Sequence, residues 1–434
     1  MSKKIQKVFQ APKGTRDILP EEQIYWDRLK KVLASLAEDY GFQKIETPIL
    51  EETELFTSSI GEATGLATMQ LFSFKTSGGT SLALRPNGTP GVCRAYLERG
   101  LAAEPQPLKF FYSGPMFRSE ALQVGKWRQF WQFGVEAIGD LSAVLDVQII
   151  QFCFHAFRQL GLKKISIQIN SLGCAQCRPA FRRALMDYYR HRKNKICQDC
   201  RRNLKENPWR LLDCREEKCQ PIKAQAPPAL DYLCDECKAH FKEVLDFLDE
   251  LEIPYFLNGA LTRGLDYYTK TIFEIFWGEE GTDLLALGGG GRYDNLIKKL
   301  GGKLTPAVGA ALGLDRIVNL MKREQIKINP SFSPKVFLVQ LGVMGKKKSL
   351  KLFEKLHQAG IEAAESLSRD SIKAQLKNAE RLGVRFALIL GQQEALDRTV
   401  IIRDMQSSAQ ETVPQEKVVE ELRKRFAWKL VSKA

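Results

Sequence analysis

What this chain of 434 residues lacks already narrows its class. No apolar run approaches the roughly 20 residues that cross a bilayer, and the charged start Met1–Lys7 leads into no apolar segment. A spanning helix and a secretory leader are therefore not expected, no membrane partner is expected either, and cytoplasmic residence follows. Cysteine is nearly absent outside one stretch. Only Cys93 and Cys153 lie beyond Cys174–Cys237, which excludes a chain-wide disulfide framework. Histidine is scarce, and His155, His191, His240 and His357 are expected in structural or surface roles. The glycine run Gly288–Gly291 is not followed by Gly-Lys-Ser/Thr and lacks dinucleotide-fingerprint spacing, so it is neither a P-loop nor a Rossmann turn. Acidic residues are in deficit, 51 against 65 basic ones, and the net charge of +14 favours a polyanionic partner.

What remains has the composition of a globular enzyme, 44% hydrophobic and 27% charged, too long for one core. From Glu21 to Tyr40, Ile24, Leu29, Val32, Leu33 and Leu36 recur near helical spacing, with Gly41 where a helix C-terminal glycine belongs. Phe42–Ile49 reads as a strand ended by Pro48. Lys109–Glu120 and Trp127–Gly139 read as two long strands joined by a polar loop. Along the second, Arg128, Phe130, Gln132, Gly134 and Glu136 share one face, while Trp127, Trp131, Phe133 and Val135 point to a core. Arg, Gln and Glu alternating beside a glycine make a polar floor; a solvated sheet face is the plainer alternative. Further on, Ala307–Val318 reads as a small-residue helix. After the linker Asn329–Pro334, strands at Lys335–Leu341, Arg385–Leu390 and Thr399–Arg403 alternate with helices at Lys347–Ala359, Ser371–Leu382 and Glu416–Phe426. That alternation gives a small α/β domain.

Between Asn170 and Leu251 the chain becomes basic and cysteine-rich, with strands before and after, as an insertion into a sheet domain would be. Its cysteines fall in pairs, Cys174-x2-Cys177, Cys197-x2-Cys200, Cys214-x4-Cys219 and Cys234-x2-Cys237. Two ligands from each of two turns suit tetrahedral zinc; reduced, partly buried thiols are the alternative. Spacing leaves open which four would bind, and Cys197, Cys200, Cys234 and Cys237 are the expected set.

The most telling stretch is Arg263-Gly264-Leu265-Asp266-Tyr267-Tyr268-Thr269-Lys270-Thr271-Ile272-Phe273-Glu274. Arg263 offers a planar fork suited to a carboxylate and a phosphate together, and paired tyrosines add apolar bodies with polar tips. Along the following strand Tyr268, Lys270, Ile272 and Glu274 share one face, and Thr269, Thr271, Phe273 and Ile275 the other. This segment resembles the histidine signature of the histidyl-tRNA synthetases. Other motifs of that family appear in order: the helix and strand of residues 21–49, Met116-Phe117-Arg118-Ser119-Glu120, the run Gly288–Asn295, and Gly313-Leu314-Asp315-Arg316. The resemblance runs from about Val8 to Phe426.

It implies a class II synthetase α/β fold, an antiparallel sheet flanked by helices. Residues 1–170 and 252–328 would form the catalytic core, 171–251 a Cys-rich insertion, and 334–434 an anticodon-binding domain. The implied activity joins histidine to ATP as histidyl-adenylate and then to the 3′ end of histidine tRNA, with Mg²⁺ and a homodimer. Arg118, Glu120, Lys126 and Arg316 would bind ATP, and Arg263, Arg118 and Arg316 would carry catalysis. Asn87, Thr89, Gln132, Glu136, Arg263, Tyr268 and Tyr293 would bind histidine, with Glu136 and Tyr268 on the imidazole and Gln132 and Thr89 near the α-amino group. Gln123 would meet the tRNA acceptor end, and Lys346–Lys348, Lys373 and Lys377 are phosphate-contact candidates. The chain departs from the family pattern twice. Asn87 replaces an acidic residue facing the ammonium, and Ala121-Leu122 replaces Arg-Pro in the loop that helps read the tRNA 5′ guanosine. A regulatory relative, the histidine-sensing subunit of ATP phosphoribosyltransferase, is the alternative; retention of Arg118, Arg263 and Arg316 and of the C-terminal domain argues against it.

Overall fold

The computed structural model describes residues 9–60, 71–120, 127–205, 207–214, 216–262, 267–278, 284–328, 334–366 and 371–431. They form two compact units, 1–328 and 329–434. The first is built on an eight-stranded sheet of order β1-β5-β6-β11-β10-β9-β7-β8. Its strands are β1 (Gln43–Lys44), β5 (Leu108–Phe117), β6 (Gln129–Ile138), β7 (Ile165–Ser171), β8 (Phe256–Leu257), β9 (Thr269–Trp277), β10 (Leu285–Arg292) and β11 (Ala307–Gly313). The centre is antiparallel, and only the two-residue edge strands β1 and β8 pair in parallel. A separate small sheet sets β4 (Ser81–Leu84) between β2 (Leu50–Glu52) and β3 (Ser73–Lys75).

Four helices cover one face of the large sheet: Pro20–Asp39, Ala143–Gln159, Asp235–Glu250 and Leu314–Arg323. The first starts at a proline with Glu21 and Glu22 in its first turn, where the helix dipole favours them. It buries Trp26, Leu29, Val32, Leu33, Leu36 and Ala37, and Gly41 leaves it at φ +77°, a conformation open to glycine. From the sheet, Phe133, Val135, Ala137, Phe273, Ile275, Val308, Ala310 and Leu312 fill the same core. Period two therefore sends the alternate residues of β6, β9 and β11 to the opposite face, where the site lies.

Several sequence expectations shift. The run Phe42–Ile49 yields only two paired residues, and Pro48 lies beyond the strand. Ala307–Gly313 is strand β11, and its helix begins only at Leu314. Small residues there serve close packing, because a Cβ on Gly309 would stand 1.8 Å from Glu136 Oε2. Lys270 leaves the expected alternation of β9: it has φ +47°, and the register against β10 slips between Gly291↔Ile272 and Arg292↔Thr269. Its ammonium donates to Glu236 Oε1 at 2.8 Å.

The second unit carries a five-stranded sheet of order β13-β12-β14-β15-β16. These are β12 (Val336–Gln340), β13 (Ala363–Glu365), β14 (Phe386–Leu390), β15 (Thr399–Asp404) and β16 (Gln410–Pro414). Helices Gly342–Gln358, Ile372–Arg381 and Val418–Val431 match the three expected there, while β13, β16 and the helix Gln392–Asp397 were not foreseen. Short, exposed strands such as β16 carry little apolar periodicity to read.

Candidate active site

Arg85 organises one wall. Its buried guanidinium donates to the carbonyls of Thr47 (2.9 Å) and Pro115 (3.0 Å), and its carbonyl accepts from the Phe117 amide (2.9 Å). This fixes Pro86–Thr89 over β5 and β6. On the floor, the ring of Tyr112 lies where side chains at Gly88 and Gly134 would be: a Cβ at either would meet it at 2.1–2.3 Å. Glycine is needed at both places so that the ring can lie flat on the sheet.

Glu136 is the centre of a buried polar cluster, with 1% of its surface exposed. Its Oε1 accepts from Thr89 Oγ1 at 2.7 Å and from the Tyr112 hydroxyl at 3.4 Å, and its Oε2 from the Tyr293 hydroxyl at 2.5 Å. Burial raises its pKa to about 7, although the hydrogen bonds from Tyr293, Thr89 and Tyr112 pull the other way. Burial, with Glu136 beside them, holds Tyr112 and Tyr293 well above the usual phenol range, so both remain donors. Tyr267 and Tyr268 complete the wall, with ring centres 4.8 Å apart and Tyr267 edge-on to Tyr293.

Where this cluster meets the cleft beyond it, two buried acceptors, Asn87 Oδ1 and Gln132 Oε1, are among those with no hydrogen-bond partner in the described residues. Buried polar atoms are normally paired, so two orphaned acceptors on the rim of a pocket suit a ligand that donates, such as an ammonium. Thr89, expected near the α-amino group, instead donates to Glu136.

Beyond Gln132 the floor opens into a cleft of about 300 Å³ lined by Arg118, Glu120, Trp127, Phe130, Glu274, Asp315 and Arg316, among others. Arg118 stacks over Phe130, 4.9 Å from the ring centre, and its Nε donates to the Pro86 carbonyl at 3.1 Å. Arg316 donates to the Ala286 carbonyl at 2.8 Å from the first turn of its helix. Asp315 is committed to structure, accepting from the Trp131 amide (2.8 Å) and from Arg16 (3.2 Å). Trp127 precedes β6 and lines this cleft rather than the core expected for it. Arg263 lies in 263–266, and Gln123 and Lys126 in 121–126, all outside the described residues, as are Ala121 and Leu122.

Three groups escaped the sequence reading. Tyr112 could have been found by counting back by twos from Arg118 along β5. Glu274 was placed on the correct face without a role. Arg292 carries no local signal: fully buried, it donates to Asp146 Oδ2 (3.0 Å from Nε) and to the carbonyls of Asp140 (2.9 Å) and Ser142 (3.0 Å). It ties the end of β10 to the helix layer and so aims Tyr293 at Glu136. His240 bonds the same Asp146, and His155 bonds the Tyr40 hydroxyl at 2.7 Å, structural roles as expected; His191 and His357 are exposed.

The expected thiol quartet does not assemble. Cys197 and Cys200 join Cys214 and Cys219, and Cys234 and Cys237 join Cys174 and Cys177. The reason is tertiary: the helix Asp235–Glu250 packs on Ala143–Gln159 and carries its cysteines to the end of β7, away from the small core around Phe181, Leu185 and Tyr189.

The C-terminal unit has a larger cavity of about 930 Å³, lined by Lys335, Arg385, Lys424 and Arg425. Three of its cations are ion-paired, Arg385 with Asp404, Lys424 with Glu420 and Arg425 with Glu411, and Lys335 lies over the Phe426 ring. Of the lysines expected at phosphates, Lys347, Lys373 and Lys377 are exposed, and Lys346 and Lys348 are half-buried.

Comparison with known proteins bears on the chain as a whole. The family model described as histidyl-tRNA synthetase matches residues 14–317, and that described as anticodon binding domain matches 335–425. The histidine–tRNA ligase of Dehalococcoides mccartyi strain 195 is 41% identical over 96% of this chain and 100% of its own. That of Desulforudis audaxviator is 44% identical over 96% and 99%. The crystal structure of apo Staphylococcus aureus histidyl-tRNA synthetase, 34% identical, superposes with a TM-score of 0.79 over 95% of this chain and 99% of that one. With a family model matched over most of the chain and relatives more than 40% identical along nearly its whole length, this chain belongs to the histidyl-tRNA synthetase family.

Proposed function

We propose that this protein is a histidine–tRNA ligase. The histidine carboxylate attacks the α-phosphorus of ATP, the bond to the β-phosphate oxygen breaks, and pyrophosphate leaves. A terminal ribose hydroxyl of histidine tRNA then attacks the acyl carbon, and AMP leaves. The observation that carries this reading is the adjacency of two unlike sites: a buried polar cluster around Glu136 whose groups can pair an imidazole, and, reached through Gln132, a cleft with Arg118 and Arg316 that can hold phosphates.

In the pocket, Glu136 accepts one ring N–H and the Tyr268 hydroxyl serves the other nitrogen, while Tyr293 and Thr89 hold Glu136 in place. Pairing both nitrogens rejects side chains that lack them, because the pocket's own polar groups would be left unmatched. Asn87 and Gln132 accept from the substrate ammonium. Arg118 holds the α-phosphate and Arg316 the far phosphates, with Glu120 and Lys126 on the nucleotide base and its surroundings. Arg263 bridges the histidine carboxylate and the α-phosphate, bringing two anions together, which is most of the barrier. The Glu274 carboxylate in the cleft is of the donor class that would hold Mg²⁺, which when bound would supply charge neutralisation for the pyrophosphate. Gln123 meets the acceptor end. Residues 1–170 and 252–328 serve as the catalytic core, 171–251 as its insertion, and 334–434 as the anticodon reader, with Lys346–Lys348, Lys373 and Lys377 near phosphates. The molecule works in the cytoplasm as a homodimer, and structural zinc in the cysteine-rich region completes the assignment.

Histidine-dependent exchange of pyrophosphate into ATP tests this. The wild-type protein should exchange with histidine alone among the amino acids, and Arg263→Ala should lower the rate at least about a hundredfold. No exchange at saturating histidine would overturn the ligase and favour a regulatory relative.

A further inference from the structure

The eight clustered cysteines form two tetrads, and each has the shape of a closed metal site. In the inner one, Cys174, Cys177, Cys234 and Cys237 place all Sγ atoms within 4.8 Å of one another, with Cys174 at 3.7 Å from Cys177 and 3.9 Å from Cys234. In the outer one, Cys197 lies 3.9 Å from Cys214, and Cys200 lies 4.0 Å from Cys219. A zinc ion with four Zn–S bonds of about 2.3 Å in a tetrahedron sets its sulfurs about 3.8 Å apart. A disulfide would need about 2.05 Å, and all these cysteines are free. Four sulfurs this close enclose one ion and leave no room for a multi-iron cluster.

Backbone geometry points the same way. The Gln176 and Cys234 amides donate to Sγ of Cys174 and Cys177 (3.4 and 3.1 Å), and the Cys200 and Cys197 amides to Sγ of Cys197 and Cys219 (3.4 and 3.2 Å). Amides aimed at sulfur stabilise thiolate, the form that binds metal. Gly173, at φ +66°, is packed so tightly that a Cβ there would meet Cys177 Cβ at 2.5 Å. Among the described residues from Cys174 to Cys237 there is no strand, and the small core there rests on the helix Arg178–Arg190, two shorter helices and 3-10 turns. Small cores of that kind commonly need a metal to stay folded.

The inner tetrad touches the site through the backbone. The Leu172 amide donates to the Lys270 carbonyl (2.8 Å), the Lys270 amide donates to the Gly173 carbonyl (2.9 Å), and the Lys270 ammonium reaches Glu236, which stands between Cys234 and Cys237. Lys270 follows Tyr268 by two residues. We propose that the tetrads are two separate tetrathiolate zinc sites, the outer closing the small core of the insertion and the inner pinning the start of β9, directly after the histidine-reading Tyr268. This rests on the structural-zinc assignment above and specifies its ligands and its effect.

Metal analysis of full-length protein purified without chelator should find two zinc ions per chain and no iron. The double variant Cys197→Ser/Cys200→Ser should keep one zinc, with KM for histidine and for ATP within about twofold of wild type. Cys174→Ser/Cys177→Ser should also keep one zinc, but with the histidine KM raised at least fivefold and the ATP KM unchanged. If a variant does not fold, cobalt titration of the zinc-stripped wild-type chain replaces it: tetrahedral thiolate absorption should saturate at two equivalents. No zinc and no cobalt uptake would overturn the zinc assignment itself, and a single equivalent of either would overturn the second site. Two ions lost together from either variant would overturn the division into sites, and equal KM changes in both variants would overturn the role of the inner one.

Discussion

Asn87 and Glu136 face one substrate with opposite problems. Asn87 offers a buried carbonyl oxygen where a full negative charge would meet an ammonium better, and the missing charge is worth roughly 1 kcal/mol. Asn87→Glu should therefore lower the KM for histidine by up to about tenfold without changing that for ATP; an unchanged histidine KM in the exchange assay would sink this account of the ammonium end. Glu136 keeps its charge only at a cost. Its folded pKa of about 7 lies above the ordinary carboxyl value of 4.5, so the folded state binds the proton more tightly than the unfolded state. Stability from this group is fully present below the unfolded value and is lost as pH rises towards 7, by roughly 3 kcal/mol. Glu136→Gln should remove that slope, so the melting temperature of the variant should gain on wild type between pH 4.5 and 7.5. Parallel melting curves across that range would refute it. The polar face containing Gln132 and Glu136 was legible from period-two counting, because alternation is a local property of a strand. Tyr112 is equally local on its own strand, whereas Thr89 and Tyr293 lie 47 and 157 residues from Glu136 and their bonds to it carry no local signal.

The strand is the element that makes the site, and glycines decide how closely its neighbours approach. Tyr112 lies between Gly88 and Gly134, and Glu136 lies against Gly309, so one added methyl has no space that a flexible side chain could vacate. Gly134→Ala should displace the Tyr112 ring, raise the histidine KM more than tenfold and cost about 1–3 kcal/mol of stability. Wild-type histidine binding and an unchanged melting temperature would show that the ring is not held as described. Glycine and alanine content also explains why Ala307–Gly313 misleads as a sequence. Alternating small residues satisfy helical and strand spacing alike, and only pairing of β11 between β6 and β10 selects the strand. The helix Pro20–Asp39 shows the converse. Its apolar stripe, starting proline and closing glycine all agree, and the element was read nearly to its ends.

For the whole molecule, a homodimer is the expected assembly, with exposed apolar side chains at Ile49, Leu50 and Phe74 in and beside the small sheet as surface that a second copy would cover. Sedimentation equilibrium should return twice the chain mass of 49.2 kDa, and Phe74→Asp should shift the protein towards monomer. A single chain mass at micromolar concentration for the wild type would overturn it. Sequence by itself determined the class of the protein: motif order, charge balance and alternation are properties of the covalent chain, and they sufficed to indicate a histidyl-tRNA synthetase with a polar sheet face. Tertiary structure decided which groups meet. Four cysteine pairs of near-equal spacing could combine in several ways, and only helix packing on the sheet separated them into two tetrads. Arg292 could have been a surface cation until burial against Asp146 made it the brace behind Tyr293. Local spacing records which way a side chain faces, but contacts between distant segments exist only after the chain has closed on itself.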